Sequence, residues 1–165
     1  YPIPHTPYSM LLLIGRNPMK VYVGADHLGF HLKDKLFAHL KRLGYEVEDE
    51  GDNYLDPEDD FPEFASRVVA AIKISNDKDP RGILLCGSGQ GMAMAANRFR
   101  GIYAALAWNK KSARESRNDD NSNILCLPAS SLSEKDMFDI VETWLKASFD
   151  AAPRRVRRLK QIDEL

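Results

Sequence analysis

Residues 81 to 106, RGILLCGSGQGMAMAANRFRGIYAAL, place an apolar run, a thiol, a glycine-rich turn and a helix-compatible segment in direct succession. Ile83, Leu84 and Leu85 show no polar alternation, which predicts a strand covered on both faces, as in a parallel sheet. The run stops at Cys86. Gly87-Ser88-Gly89-Gln90-Gly91 then supplies backbone that bends sharply and approaches a ligand closely, because glycine carries no Cβ. From Met92 to Ala96 the residues suit a helix. Such a turn leaves amide N–H groups directed out of the carboxyl edge of a sheet, where they can hold a phosphate or an oxyanion formed during a reaction. Two plainer readings stand beside this one: the turn can be tight packing alone, and cysteine is among the residues most often buried and inert. The run lacks the lysine of a P-loop and the spacing and downstream acid of a dinucleotide fingerprint, so a nucleotide site is the weaker reading.

Working outward, the same strand-turn-helix unit recurs. Lys20 to Gly24 reads as a first buried strand ending at Ala25-Asp26-His27, followed by a helix with Leu32, Leu36, Leu40 and Leu43 on one face, Lys33, Asp34, Lys41 and Arg42 on the other, and Gly44 as its stop. Tyr45 to Asp49 alternates as an edge strand, and Gly51 to Asp60 is an acidic loop. Asp56, Glu58, Asp59 and Asp60 lack the regular spacing and the glycine of a calcium loop, so they read as solvated and no metal is expected. Pro62 opens a helix to about Ile74. Beyond the central run, Ile102 to Trp108 predicts a fourth strand and Lys110 to Arg117 a helix. Asn118 to Asn123 predicts a polar turn, and Ile124 to Leu127 a fifth strand. A helix capped by Ser131 or Ser133 buries Met137, Ile140, Val141, Trp144 and Leu145. The last helix, Pro153 to about Asp163, places Arg154 and Arg158 on one face.

Strand and helix thus alternate five times, which predicts a doubly wound, five-stranded parallel α/β sheet, Rossmann-like, in three α/β/α layers with strand order 2-1-3-4-5. A ligand would bind at the carboxyl ends of strands one and three, where Asp26-His27 would face Cys86 to Gly91.

The chain has 165 residues, 44% of them hydrophobic, and a net charge of -1, which fits one domain over residues 19–165 and no surface-wide attraction for nucleic acid or an anionic membrane. Tyr1 to Pro18, with four prolines, reads as a leader or extension with Met19 as the natural start, or else as an arm packing on a neighbouring subunit. Its apolar stretch Met10 to Ile14 is too short to span a bilayer. Cys86 and Cys126 sit in apolar runs, which points to reduced thiols and a cytoplasmic location rather than a disulfide framework.

A thiol beside anion-stabilising amides suits nucleophilic attack, as in a cysteine hydrolase, or removal of a proton next to a carbonyl. With cationic side chains to take a phosphate, the second becomes isomerisation of a phosphorylated sugar.

Gly24-Ala25-Asp26-His27-Leu28-Gly29-Phe30, Cys86 to Met92 with Ala95-Ala96-Asn97 and Gly101-Ile102, and Arg154-Arg155-Val156-Arg157-Arg158 resemble, in the same order, the family of ribose-5-phosphate isomerase B and galactose-6-phosphate isomerase. The resemblance runs from Met19 to the C-terminus. It implies that Cys86 is the base moving a proton between C1 and C2. Ser88 and the amides of Gly87, Gly89, Gln90 and Gly91 would cradle the enediolate. Asp26 and His27 would contact sugar hydroxyls and phosphate, and Arg154 and Arg158 the phosphate. It also implies a homodimer or tetramer with shared sites and no cofactor. Where relatives carry His-Asn-Asp, the His opening a furanose ring, this chain has Asp119-Asp120-Asn121; where many carry Arg after the last strand, it has Pro128-Ala129-Ser130-Ser131. Three accounts follow: Asp119, or another residue, opens the ring; the substrate needs no ring opening, as a tetrose 4-phosphate would not; or the chain binds a sugar phosphate without turning it over.

Overall fold

The fold is a computed structural model that describes residues 19–165; the readings made for Tyr1 to Pro18 lie outside the described residues. Three apolar runs form the middle of its sheet: β1 (Lys20–Ala25), β3 (Arg81–Cys86) and β5 (Ile124–Pro128), the last two buried along their whole length. β2 (Glu46–Asp49) and β4 (Ala104–Leu106) flank them. The helices are α1 (Phe30–Arg42), α2 (Phe61–Ile74), α3 (Gln90–Ala96), α4 (Lys110–Asp120), α5 (Glu134–Lys146) and α6 (Pro153–Asp163). Every strand pairing is parallel.

The strand order is 2-1-3-5-4, which corrects the expected 2-1-3-4-5. The reason lies in the two runs themselves. Ile124-Leu125-Cys126-Leu127-Pro128 is apolar throughout and takes an interior place, whereas the fourth strand shrinks from the expected Ile102 to Trp108 to three half-buried residues at the edge. There the Asn97 side chain closes the sheet: its Nδ2 donates to Ala104 O and Ala104 N donates to its Oδ1, both at 2.8 Å.

Because side chains alternate across a strand, the three central strands feed two cores. Val21, Val23, Leu85, Leu125 and Leu127 pack with Leu36 and Leu40 of α1 and Met137, Ile140 and Trp144 of α5. Tyr22, Leu84, Cys86 and Cys126 pack with Phe64 and Val68 of α2 and Met92 of α3. Two local expectations change and one pair of alternatives is resolved. Lys33 is buried, not solvent-facing, with its Nζ 2.5 Å from Asp49 Oδ2, while Leu43 is 45% exposed. α4 runs on through Asn118 and Asp119 to Asp120, so the first half of the expected polar turn is helix, closed by Asn121 at φ +53. Ser133, not Ser131, caps α5, accepting from Asp136 N at 3.1 Å. At the amino ends of the strands, Asp79 pairs with the buried guanidiniums of Arg81 and Arg117.

Candidate active site

Three turns lie side by side at the carboxyl edge of the sheet, joined through their backbones. Asp26 N donates to Leu85 O at 3.2 Å, tying the end of β1 to β3. Ala129 N donates to Cys86 O at 2.8 Å and Ser130 N to Gly87 O at 3.0 Å, tying the end of β5 to the glycine turn. Leu28 covers Gly87, its Cδ1 2.6 Å from where a Cβ would stand, and the Phe61 ring lies against Gly91.

Cys86 ends β3 with a free thiol that is 5% exposed. Its Sγ accepts from Gly89 N at 3.1 Å, a contact that negative charge on sulfur would strengthen. Gly89 makes this possible through a left-handed backbone, φ +74, and any Cβ there would meet Leu106 Cδ1 at 2.5 Å. The expected cradle of amides is therefore partly committed: Gly89 N serves the sulfur and Gln90 N donates to Ser88 Oγ at 3.3 Å. The amides of Ser88 and Gly91 take no acceptor among the described residues, and the Ser88 side chain is exposed.

Asp26 is 5% exposed, and its Oδ1 accepts from Leu28 N at 3.0 Å and Gly29 N at 3.1 Å, which shapes the turn into α1. Burial raises its pKa above the usual carboxylate value, against the opposing pull of those amides and of His27. Its Oδ2 takes no donor among the described residues. His27 stands beside it with a partner the sequence reading missed. Asp59 Oδ1 accepts from His27 N at 3.1 Å and lies 2.6 Å from His27 Nδ1. That hydrogen bond is the chief cause that lifts the His27 pKa above its ordinary value. Asp59 is thus an ordered partner with a 9% exposed side chain, which corrects its reading as one acid in a solvated loop.

The remaining candidates lie at the other end of the sheet. Asp119 and Asp120 end α4, whose Arg117 bonds Asp79 just before β3 at 3.2 Å, so this corner sits at the amino edge. Arg155 of α6 is 2.5 Å from Asp119 and also pairs with Asp150, which fixes Arg154 and Arg158 on the same corner. Asp120 is shifted upward by burial and by neighbouring Asp119, with Arg155 and Arg158 opposing. A shallow cavity of about 310 Å³ includes Asp120, Tyr103 and Leu159. A roomier groove of about 1180 Å³, between β2 and α2, is lined by Lys20, Glu46, Glu48 and Arg67 and contains none of the thiol-loop residues. Within one chain, then, Asp26, His27 and Cys86 to Gly91 come together, while Asp119, Asp120, Arg154 and Arg158 stand apart from them.

Residues 21–162 match the family model described as Ribose/Galactose Isomerase. The chain belongs to the ribose/galactose isomerase family. A solved ribose 5-phosphate isomerase from Thermotoga maritima is 44% identical to this isomerase, with a TM-score of 0.83 over 89% of this chain and 99% of its own. Ribose-5-phosphate isomerase B from Mycoplasma genitalium, solved with bound ribulose-5-phosphate, is 39% identical with a TM-score of 0.84 over 88% and 95%. A third relative, 4-deoxy-4-sulfo-D-erythrose isomerase of a Clostridium species, is 39% identical over 79% of this chain and 81% of its own. The expectation of an enzyme that isomerises sugar phosphates is met at the level of the family and its members.

Two residues of this isomerase escaped the sequence reading, Asp59 and Arg155. Neither carried a signal of its own, since one sits among four acids and the other among four arginines. No group of three or more His, Cys, Asp or Glu side chains among the described residues is disposed to hold a metal ion. No described helix is long and apolar enough to cross a membrane.

Proposed function

We propose that this chain interconverts the aldose and ketose forms of a short phosphorylated sugar through an enediolate, with Cys86 as the proton carrier. The Cys86 thiolate takes the proton from C2 of the open-chain aldose, and the electron pair of that C–H bond forms the C1–C2 double bond. The C1 carbonyl pair moves onto O1. A proton passes from O2 to O1, and the Cys86 thiol then returns its proton to C1, leaving the carbonyl at C2. The Ser88 hydroxyl and the Ser88 and Gly91 amides hold the developing charge, with Asp26 Oδ2 accepting from a sugar hydroxyl. The observation that carries this reading is the placement of the Cys86 sulfur within the glycine turn, bonded by the Gly89 amide, with the turn joined through β1 to Asp26 and His27.

The site is completed by a second copy of the chain. One copy supplies the carboxyl-edge set; its partner supplies the amino-edge corner with Arg154 and Arg158 for the phosphate. Leu28, 56% exposed, and Phe61, 38% exposed, rim the thiol turn and give the partner an apolar seat. The buried free thiols fit a reducing compartment, the cytoplasm.

A specific observation favours a four-carbon substrate. Asp119 is held by Arg155 at 2.5 Å and accepts from Asn118 Nδ2 at 2.6 Å, so its carboxylate serves as an acceptor, not as a donor to a ring oxygen. A tetrose with an anion at C4 forms no furanose and needs no such donor. The sulfo-erythrose isomerase among the relatives acts, by its name, on a sugar of this kind.

The test is turnover of D-erythrose 4-phosphate, D-ribose 5-phosphate and a hexose 6-phosphate by the native chain and by Cys86→Ala. Isomerisation lost by about 10²–10⁴-fold in the variant, with substrate still bound, supports Cys86 as the base. Full activity without the thiol removes it. Binding without turnover in the native chain would make it a sugar-phosphate sensor, and an acyl adduct on Cys86 by mass spectrometry would make it a hydrolase.

A further inference from the structure

We propose that Asp59 is the positioning residue for His27, fixing the imidazole so that its outward nitrogen Nε2 donates to the anionic end of the substrate rather than to a sugar hydroxyl. The inference rests on the reading of His27 as a substrate-binding residue and adds the partner that orients it.

One carboxylate oxygen holds His27 twice. Asp59 Oδ1 accepts the backbone amide at 3.1 Å, which fixes where residue 27 sits, and faces Nδ1 at 2.6 Å, which fixes how the ring is turned. With Nδ1–H committed to that carboxylate, Nε2 is the nitrogen left for a ligand. Exposure follows the same division: the Asp59 side chain is 9% exposed and that of His27 is 30% exposed. The inner partner is enclosed, and the ring is the part that reaches solvent. The charged groups facing the ring are all acidic: Asp59 by hydrogen bond, then Asp26 and Glu58 through space, opposed by partial burial. These acids favour the imidazolium, and a cation with one free N–H matches a phosphate or sulfonate oxygen better than a neutral hydroxyl. The acid is supplied from the loop before α2, across 32 residues of sequence, so the contact also pins that loop beside the β1 turn.

The experiment compares native chain, Asp59→Asn, His27→Gln and the double variant with D-erythrose 4-phosphate and D-ribose 5-phosphate. Asp59→Asn keeps the shape and removes the charge. The expected result is a KM raised by about tenfold with kcat within about twofold, as for loss of one charge-assisted hydrogen bond. The alkaline rise in KM should move to lower pH, and the variant should add nothing further in the His27→Gln background. In parallel, nitrogen NMR of the native chain should show His27 protonated at Nδ1, with Nε2 shifting on addition of inorganic phosphate. An unprotonated Nδ1 in neutral His27, or an Asp59→Asn variant with native KM and pH profile, overturns the inference while leaving the isomerase reading intact. A native KM in His27→Gln overturns the inference together with the substrate-binding role assigned to His27.

Discussion

If the active site is built from two copies, two inactive variants mixed together should make an active enzyme. Cys86→Ala removes the proposed base from the carboxyl edge, and Arg154→Ala/Arg158→Ala removes the proposed phosphate ligands from the amino edge. β3 runs six residues from Arg81 to Cys86, which at roughly 3.3 Å per residue separates the two edges by about 16 Å. An arginine side chain cannot cover that gap from the corner where Arg155 pairs with Asp119 and Arg117 pairs with Asp79. Each parent should therefore lose activity through a different half of the site. The base variant should fall by about 10²–10⁴-fold in kcat, and the arginine variant by about tenfold or more in kcat/KM for each lost charge-assisted contact. In a two-fold symmetric dimer, random exchange of equal amounts gives roughly half heterodimers, each with one doubly damaged and one intact site, so about a quarter of native activity should return. The assay is isomerisation rate against time after co-refolding or co-expression of the two variants, with each parent treated alone as control. A mixture that never exceeds the mean of its parents, although mass spectrometry shows heterodimers, refutes the shared site. So does a native chain that is monomeric and fully active at the assay concentration.

Two further outcomes follow from the geometry. Gly89→Ala should cost about 1–3 kcal/mol in urea unfolding and remove most activity, because a Cβ at φ +74 would meet Leu106 and Leu127 and displace the amide that serves Cys86. Asp79→Ala should destabilise the chain by about 2 kcal/mol, below the range for a fully buried pair because the Asp79 side chain is 46% exposed, yet still large because it strands Arg81 and Arg117. Burial alone would raise the Asp79 pKa, but the bonds and charges of Arg81 and Arg117 lower it below the ordinary value. Its contribution is therefore present above the unfolded carboxylate pKa of about 4 and disappears as pH falls through the lowered folded value, so native and variant should converge in strongly acidic urea titrations.

The alternation of apolar runs with amphipathic segments made the parallel sheet legible, since Ile83 to Leu85 and Ile124 to Leu127 have no polar face to offer water. The order of the last two strands was not, because sequence succession carries no information on which of two neighbours is more fully covered; the burial of Ile124 to Pro128 decides it. The split of the candidate site follows from topology. In a parallel sheet each helix carries the chain back to the amino edge, so residues that follow a strand, such as Asp26 and Cys86, face away from residues that precede one, such as Asp119 and Asp120. Asp59 was hidden for a different reason: four nearby acids look alike until one of them finds a half-buried imidazole across the fold. Lys33 misled in the same way, because its helical position says nothing of Asp49 waiting on β2.

The amide of Asn97 has a consequence for assembly. By occupying both the N–H and the C=O of Ala104, it imitates one rung of a ladder and leaves β4 with little to offer an incoming strand. Copies of this chain are thereby denied the easy route of fusing their sheets into one continuous ribbon at that border. Pairing of copies through side chains, the kind of contact that can carry an arginine from one molecule into the mouth of another, meets no such obstacle there.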